Sequence, residues 1–376
     1  MPRLIAPLPE GPLDILGDIH GEIDALRAVL ERLGVDVAAR RAPRPLVFVG
    51  DLVDRGPDSV AVVQLVADLV EKGQAHVVLG NHELNLLQAD RKEGNGWAWD
   101  GLGPDGQADH FTHKVGGLGL RRPFDSRLAS AAERRFILDF LGTLPLVLER
   151  PDLRVVHAAP HAPALASLPV EADVVAMAAA YDREIHADLE ARGVLARARA
   201  ERAAWAELRD FNLEPTELLE NVAIQNAAEQ AGNPISVLTS GLEERVPYGQ
   251  HFYAGGKWRF VSRSRWWRGF GAEASAGVGP PPPFTVVGHY WRRRSAREIA
   301  DKANTWANGD WLGWAGPLGR AFCVDFSVGR RFAERADGRA SGFAGGLGAL
   351  RWPEGQLLFD DSDVVLDTRP GVPCAE

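Results

Sequence analysis

Cysteine is scarce in this chain of 376 residues: Cys323 and Cys374 are the two it has. Two cysteines cannot build a disulfide framework, so the fold must rest on its core, and a reducing compartment is expected. Long apolar runs are missing as well. No stretch approaches the ~20 residues that a membrane helix needs, and the opening MPRLIAPLPEGPLD lacks the apolar centre of a secretion signal. The expectation is a cytoplasmic protein with no membrane partner. Positive charge is in short supply too. A formal net charge of -9 argues against stable nucleic-acid binding, and an anionic substrate must find its positive charge locally.

What is present is an ordinary soluble composition, 45% hydrophobic and 25% charged, in a chain long enough to bury a large core. Three similar units open it: LDILGD before EIDALRAVLERLG, PLVFVGD before DSVAVVQLVADLVEKG, and AHVVLGN before HELNLLQAD. Each reads as a buried strand, a glycine, a polar residue and then a helix. Such alternation builds a sheet covered by helices, with ligands gathering beyond the carboxyl ends of the strands. Asp18, Asp51 and Asn81 occupy equivalent places there. Further along, AAERRFILDFL reads as an amphipathic helix and LPLVLERPDLRVVHA as a hairpin ending at His157. Residues 162–280 change character, from Ala- and Arg-rich helix to aromatic-rich sequence closed by GPPPPF, and read as an insertion into the core. Strand patterns resume at FTVVGHY and AFCVDFSVG, and GFAGGLGALRWPEGQLL reads as closing strands.

Side chains two apart on an extended segment project to the same side, so Asp18 and His20 of GDIHG can converge on one point. That suits a metal ion; equally, Asp18 could cap a turn and His20 could be a surface histidine. The second strand ends in GDLVDRG and the third in GNHE. Taken together, GDIHG, GDLVDRG and GNHE resemble the metallophosphoesterases, in particular their phosphoprotein phosphatase branch with its bacterial serine/threonine phosphatases and symmetrical diadenosine tetraphosphatases. The resemblance covers residues 12–90 closely, resumes at VVHAAP, VVGHY and FCVDFSVG, and leaves about 120 central residues uncovered.

The resemblance implies a single domain over residues 1–376: a four-layer αββα sandwich with two facing mixed sheets, interrupted by the 162–280 insertion. It implies two divalent cations, Mn2+ first with Fe or Zn as alternatives, since mixed carboxylate, amide and imidazole donors suit all three. By the family pattern Asp18, His20 and Asp51 hold one ion, and Asp51, Asn81, His157 and His289 the other. A water bridging such a pair loses a proton near neutral pH and attacks phosphorus. His82 is the family's candidate for protonating the leaving oxygen, with Asp54 orienting it, and Arg55 for gripping the phosphoryl oxygens beside Asn81. The implied reaction is hydrolysis of a phosphomonoester or phosphoanhydride. Its substrate is expected to be a phosphoprotein, with a dinucleoside polyphosphate as the alternative and an inactive metal-binding scaffold as a remote third.

Glu83 reads as a first-turn acid favoured by the helix dipole rather than a ligand. His161, His110 and His113 have metal-like spacing with nothing flanking them in support, and read as loop histidines. KWRFVSRSRWWRG interleaves cations with tryptophans, a pattern that either stacks a base beside phosphates or forms a half-buried strand with solvated arginines. WRRRSAR, just past His289, is a similar candidate for phosphate contacts.

Overall fold

The computed structural model describes residues 1–115, 118–207, 219–247, 250–254, 257–294, 306 and 310–373. Eleven strands make two sheets: β1 (Ile5–Pro7), β2 (Leu13–Leu16), β3 (Leu46–Phe48), β4 (Ala75–Val77), β5 (Val147–Arg150), β6 (Leu153–Val156), β7 (Phe284–Val287), β8 (Ala321–Cys323), β9 (Gly348–Trp352), β10 (Gln356–Phe359) and β11 (Ser362–Asp367). The first sheet runs β11-β10-β9-β2-β3-β4, and the second β1-β5-β6-β7-β8. Both are mixed. In the first, β2, β3 and β4 are parallel, while β9, β10 and β11 are antiparallel. In the second, β5 and β6 form the expected hairpin, and β6, β7 and β8 are parallel.

Residue alternation shows how the layers stack. Ile15, Val47, Leu350, Leu148, Val155, Val286 and Phe322, from both sheets, share one buried cluster. Their neighbours along the strands, Leu16, Phe48, Ala349, Val147, Val156, Val287 and Ala321, belong to a second cluster with the helices. One face of each sheet therefore meets the other sheet and the opposite face meets helices, giving the four-layer sandwich. On the outside of the first sheet lie α1 (Ile23–Arg32) and α2 (Ser59–Glu71), whose apolar stripes include Leu26, Val29, Val60 and Val63. The short α3 (Asn81–Leu87) and α4 (Ala131–Leu141) follow.

Ser130 starts α4 with a reciprocal capping box. Its Oγ accepts from the Glu133 N–H, while the Glu133 carboxylate accepts from the Ser130 N–H. Glu133 also receives the Arg127 guanidinium, and these bonds, that of Arg127 first, hold its carboxyl down to about 2. We expect Ser130→Ala to cost about 1 kcal/mol in urea unfolding at pH 7. An acid whose folded pKa is depressed stabilises the fold above its unfolded pKa and loses that contribution as pH falls towards the folded value. The stability gap between the parent and Glu133→Gln should accordingly close as the pH is lowered from above 4.5 towards 2.

The segment 162–280 divides its packing. α5 (Ala162–Ala166), the start of α6 (Val174–Ala191) and α9 (Pro234–Ser240) bury Ala164, Val174, Ala178, Ile235 and Leu238 in the main core. By contrast α7 (Val194–Glu207) and α8 (Glu220–Gly232) share a small separate core of Ala198, Val222, Ala223 and Phe260. Trp267 of the tryptophan-rich stretch is buried, stacked on Trp306 with ring centroids 4.2 Å apart. Among the described residues, no helix is long and apolar enough to cross a membrane.

Candidate metal centre

Every residue expected at the site lies just beyond a strand's carboxyl end or in the turn that follows. Asp18 and His20 follow β2; Asp51, Asp54 and Arg55 follow β3; Asn81 and His82 open α3 after β4; His157 follows β6, and His289 follows β7. His20, Asp51, Asp54, Arg55 and His289 all have φ between 49° and 77°, the left-handed region that branched or bulky side chains avoid. Backbone strain of this kind persists where surrounding contacts over-determine a functional turn. Gly288 shows how tight the approach is: a Cβ there would stand 2.1 Å from Asp18 Oδ1.

Asp51 is the hub. It is 2% exposed, and its Oδ1 accepts from the His82 N–H at 3.0 Å and lies 3.3 Å from His157 Nε2. Its Oδ2 lies 3.8 Å from His20 Nε2 and 3.9 Å from His82 Nε2. Donor atoms of His20, Asp51 and His82 fall within 4.8 Å of one another, as do those of Asp51, His157 and His289. Two buried donor groups thus share one carboxylate. Asp18 stands beside the first, 4.0 Å from His20 Nε2. Asn81 stands in the second, its Oδ1 accepting from His289 Nδ1 at 2.8 Å and facing His157 Nε2 at 3.2 Å.

Backbone carbonyls fix which ring nitrogens face inward. His20 Nδ1 donates to Val53 O at 3.1 Å and His157 Nδ1 to Val49 O at 2.6 Å, so each presents Nε2 to the centre. The two backbone contacts of Asp18, both from the His289 N–H, aim its carboxylate. His289 Nε2 is buried and has no hydrogen-bond partner among the described residues. Burying an imidazole nitrogen without a partner is costly, and a cation would satisfy it.

The charge distribution points the same way. Burial, then Asp325 and Asp51, pushes the Asp18 carboxyl well above its ordinary range. Burial works against Asp51 too, yet the imidazoles of His157, His82 and His20 hold it well below that range. Burial, then Arg55 and His82, keeps His20 down as a neutral base; burial, then the charge of Arg263, does the same for His289. The carboxylate O and imidazole N donors gathered in this buried cluster suit divalent transition metals. The residues present therefore fit a dinuclear centre.

Around it sit the residues expected to act on substrate. His82 Nδ1 meets Asp54 Oδ2 at 2.5 Å, and both side chains are buried. The Arg55 guanidinium reaches His20 Nε2 at 2.7 Å and His82 Nε2 at 3.1 Å and lies over the Trp291 ring.

Several supporting residues escaped the sequence reading. Trp97 Nε1 donates to the second oxygen of Asp54 at 2.7 Å, completing a Trp97–Asp54–His82 relay. Asp109 clasps the loop carrying Trp97 through the N–H groups of Gly94 and Gly96. Asp325, after β8, is buried, accepts from the Ser327 N–H at 2.8 Å, and has its carboxyl pushed up to about 6, burial being the main cause. Within FCVDFSVG only its place after a strand marked it. Glu83 is no ligand: its carboxylate accepts from the N–H groups of Asp51, Leu52 and Gly80, so it clasps backbone.

Other expectations changed. Arg292 of WRRRSAR turns inward, donating to Cys323 O and Trp311 O over the rings of Phe322 and Phe326, while Arg294 pairs with Asp361. Neither offers itself to phosphate, because backbone carbonyls engage the Arg292 guanidinium, and backbone carbonyls with Asp361 engage that of Arg294. His161 takes the cap position of α5 and enters neither donor group. His110 lies in a strand, not a loop, beside Arg121. The side chain of His113, residues 295–297 of WRRRSAR, and Cys374 lie outside the described residues.

Strand ends that gather O and N donors at one edge of a sandwich suit a metal-dependent hydrolase. The comparison with known proteins agrees: residues 11–181 match the family model for calcineurin-like phosphoesterases, and the chain carries a calcineurin-like metallophosphoesterase domain. Among relatives, it is 45% identical over 73 residues to the asymmetrical bis(5'-nucleosyl)-tetraphosphatase PrpE of Bacillus subtilis (strain 168), 18% of this chain and 30% of that one. It is 33% identical over 147 residues to the symmetrical bis(5'-nucleosyl)-tetraphosphatase of Janthinobacterium sp. (strain Marseille), 38% of this chain and 42% of that one. The chain thus spans less than half the length of these relatives. The crystal structure of a cold-active protein-tyrosine phosphatase of a psychrophilic Shewanella sp. is 14% identical, with 98% of this chain and 83% of that one covered and a TM-score of 0.45.

Proposed function

We propose that the protein is a metal-dependent hydrolase of phosphoester or phosphoanhydride bonds, and that its substrate is a dinucleoside polyphosphate. The observation that carries the reaction is the pair of buried donor groups joined through Asp51. When bound there, two divalent cations lower the pKa of water and offset the charge of a phosphate. Asp18, His20, Asp51, Asn81, His157 and His289 hold them, and Mn2+ is the first choice. The Arg55 fork, poised between His20 and His82, takes the phosphoryl oxygens, where a planar bidentate donor is strongest. His82 delivers the proton that the leaving oxygen needs, its imidazole held by Asp54.

The substrate choice draws on the relatives, whose names specify bis(5'-nucleosyl)-tetraphosphates. It also draws on Arg263, a solvent-exposed cation over the Tyr290 ring with its charge acting on His289. With Arg55 in the same centre, it provides a second cation for a phosphate chain longer than one group. A Mn2+-loaded sample assayed on diadenosine tetraphosphate, a phosphoserine peptide and p-nitrophenyl phosphate tests both parts. Turnover of the dinucleotide with little of the peptide is expected. Peptide turnover alone overturns the substrate, and no turnover of any compound overturns the reaction.

A further inference from the structure

We propose that the cleft between the α6–α8 helices and the segment 243–261 binds the nucleoside end of a nucleotide, an inference that rests on the dinucleotide reading above. The cleft has a volume of about 630 Å3, within the range of small-molecule sites. The catalytic core contributes one wall through Lys92, two residues before Gly94, whose carbonyl accepts from the Arg55 N–H at 3.0 Å. The other wall carries Arg202 and Trp205 of α7 and Trp258 and Arg259 of the neighbouring strand. Burial lowers the half-buried Arg259 guanidinium, and the nearby charge of Arg263 acts in the same direction. Lys92 thus ties the cleft to the loop that holds Arg55.

Its chemistry is that of a nucleotide rather than of a bare anion. Trp205, half-buried on α7, offers an aromatic face for a base. Lys92 and Arg202 supply cations for the phosphates, with Arg202 braced by Gln225 Oε1 at 3.0 Å. Glu243, with Asp182 and Glu229, brings carboxylates into the same cleft, the acceptors that ribose hydroxyls and an exocyclic amine require.

The test is Trp205→Ala in the full, Mn2+-loaded chain. Losing one stacking face should raise KM for diadenosine tetraphosphate about 10-fold. Selectivity for that compound over p-nitrophenyl phosphate should fall by the same factor. Trp205→Phe, which keeps a ring, should restore most of it, separating stacking from damage to α7. Calorimetry with ADP is the independent reading, and its affinity should weaken about 10-fold in Trp205→Ala. An unchanged KM and an unchanged ADP affinity overturn the proposal, as does a Phe variant no better than Ala. Should the chain hydrolyse only p-nitrophenyl phosphate, the dinucleotide reading falls. ADP binding then decides the cleft alone: weakening by Trp205→Ala upholds it, and indifference removes it.

Discussion

Replacing His82 with alanine should lower kcat on an alkyl phosphate about 1,000-fold, the middle of the range for a positioned general acid. The geometry explains the size. Its Nδ1 faces a carboxylate that is itself buried and tied to Trp97, so the imidazole is held in one orientation with Nε2 directed at the centre. An acid matters most when the departing oxygen is a strong base. The loss on p-nitrophenyl phosphate, whose leaving group needs little protonation, should be at least 10-fold smaller. Metal content makes the test sharper, because His82 Nε2 also lies 3.9 Å from Asp51 and shares a donor group with His20. A proton donor leaves the metal content of the variant intact. A ligand does not, so loss of an ion together with equal rate losses on both substrates would move His82 from acid to ligand.

The strands that end in GDIHG, GDLVDRG and GNHE were legible because chemistry and fold there use the same few residues. A parallel strand buried on both faces reads as an apolar run, and the residue just past it is where a ligand can stand. The hairpin before His157 was legible for a similar reason, with apolar alternation on both sides of a short turn. Long-range partners were not. Nothing in NGWAWDG says that Trp97 will reach back to Asp54, 43 positions earlier, and nothing in IAP says that it will pair with Val147–Glu149. Arg292 shows the limit of reading charge as exposure. A guanidinium can be buried when carbonyls accept from its terminal nitrogens and aromatic rings cover its faces, and sequence does not display those partners.

The same logic singles out Asp51 for the largest effect of any single substitution. Asn has nearly the same shape, and its Oδ1 can keep the hydrogen bond from the His82 N–H, so the turn after β3 should survive. What changes is the second oxygen, 3.8 Å from His20 and 3.9 Å from His82, which becomes an amide NH2 that cannot hold a cation. The net negative charge that the imidazoles of His157, His82 and His20 stabilise against burial disappears as well. Because both donor groups depend on this one side chain, Asp51→Asn should weaken both sites together rather than one. Elemental analysis after desalting should find less than one divalent ion per chain. Removing two electrostatic contacts at once, each comparable to an oxyanion donor, should cut kcat on the order of 10⁴-fold. Thermal unfolding gives a reading independent of activity. A ligand held only by the folded chain stabilises it by about 2.7 kcal/mol at a hundredfold excess over Kd, so Mn2+ should raise the Tm of the parent and leave that of the variant nearly unmoved. A variant that kept two ions and the full Mn2+-dependent shift would mean that Asp51 is not their shared ligand.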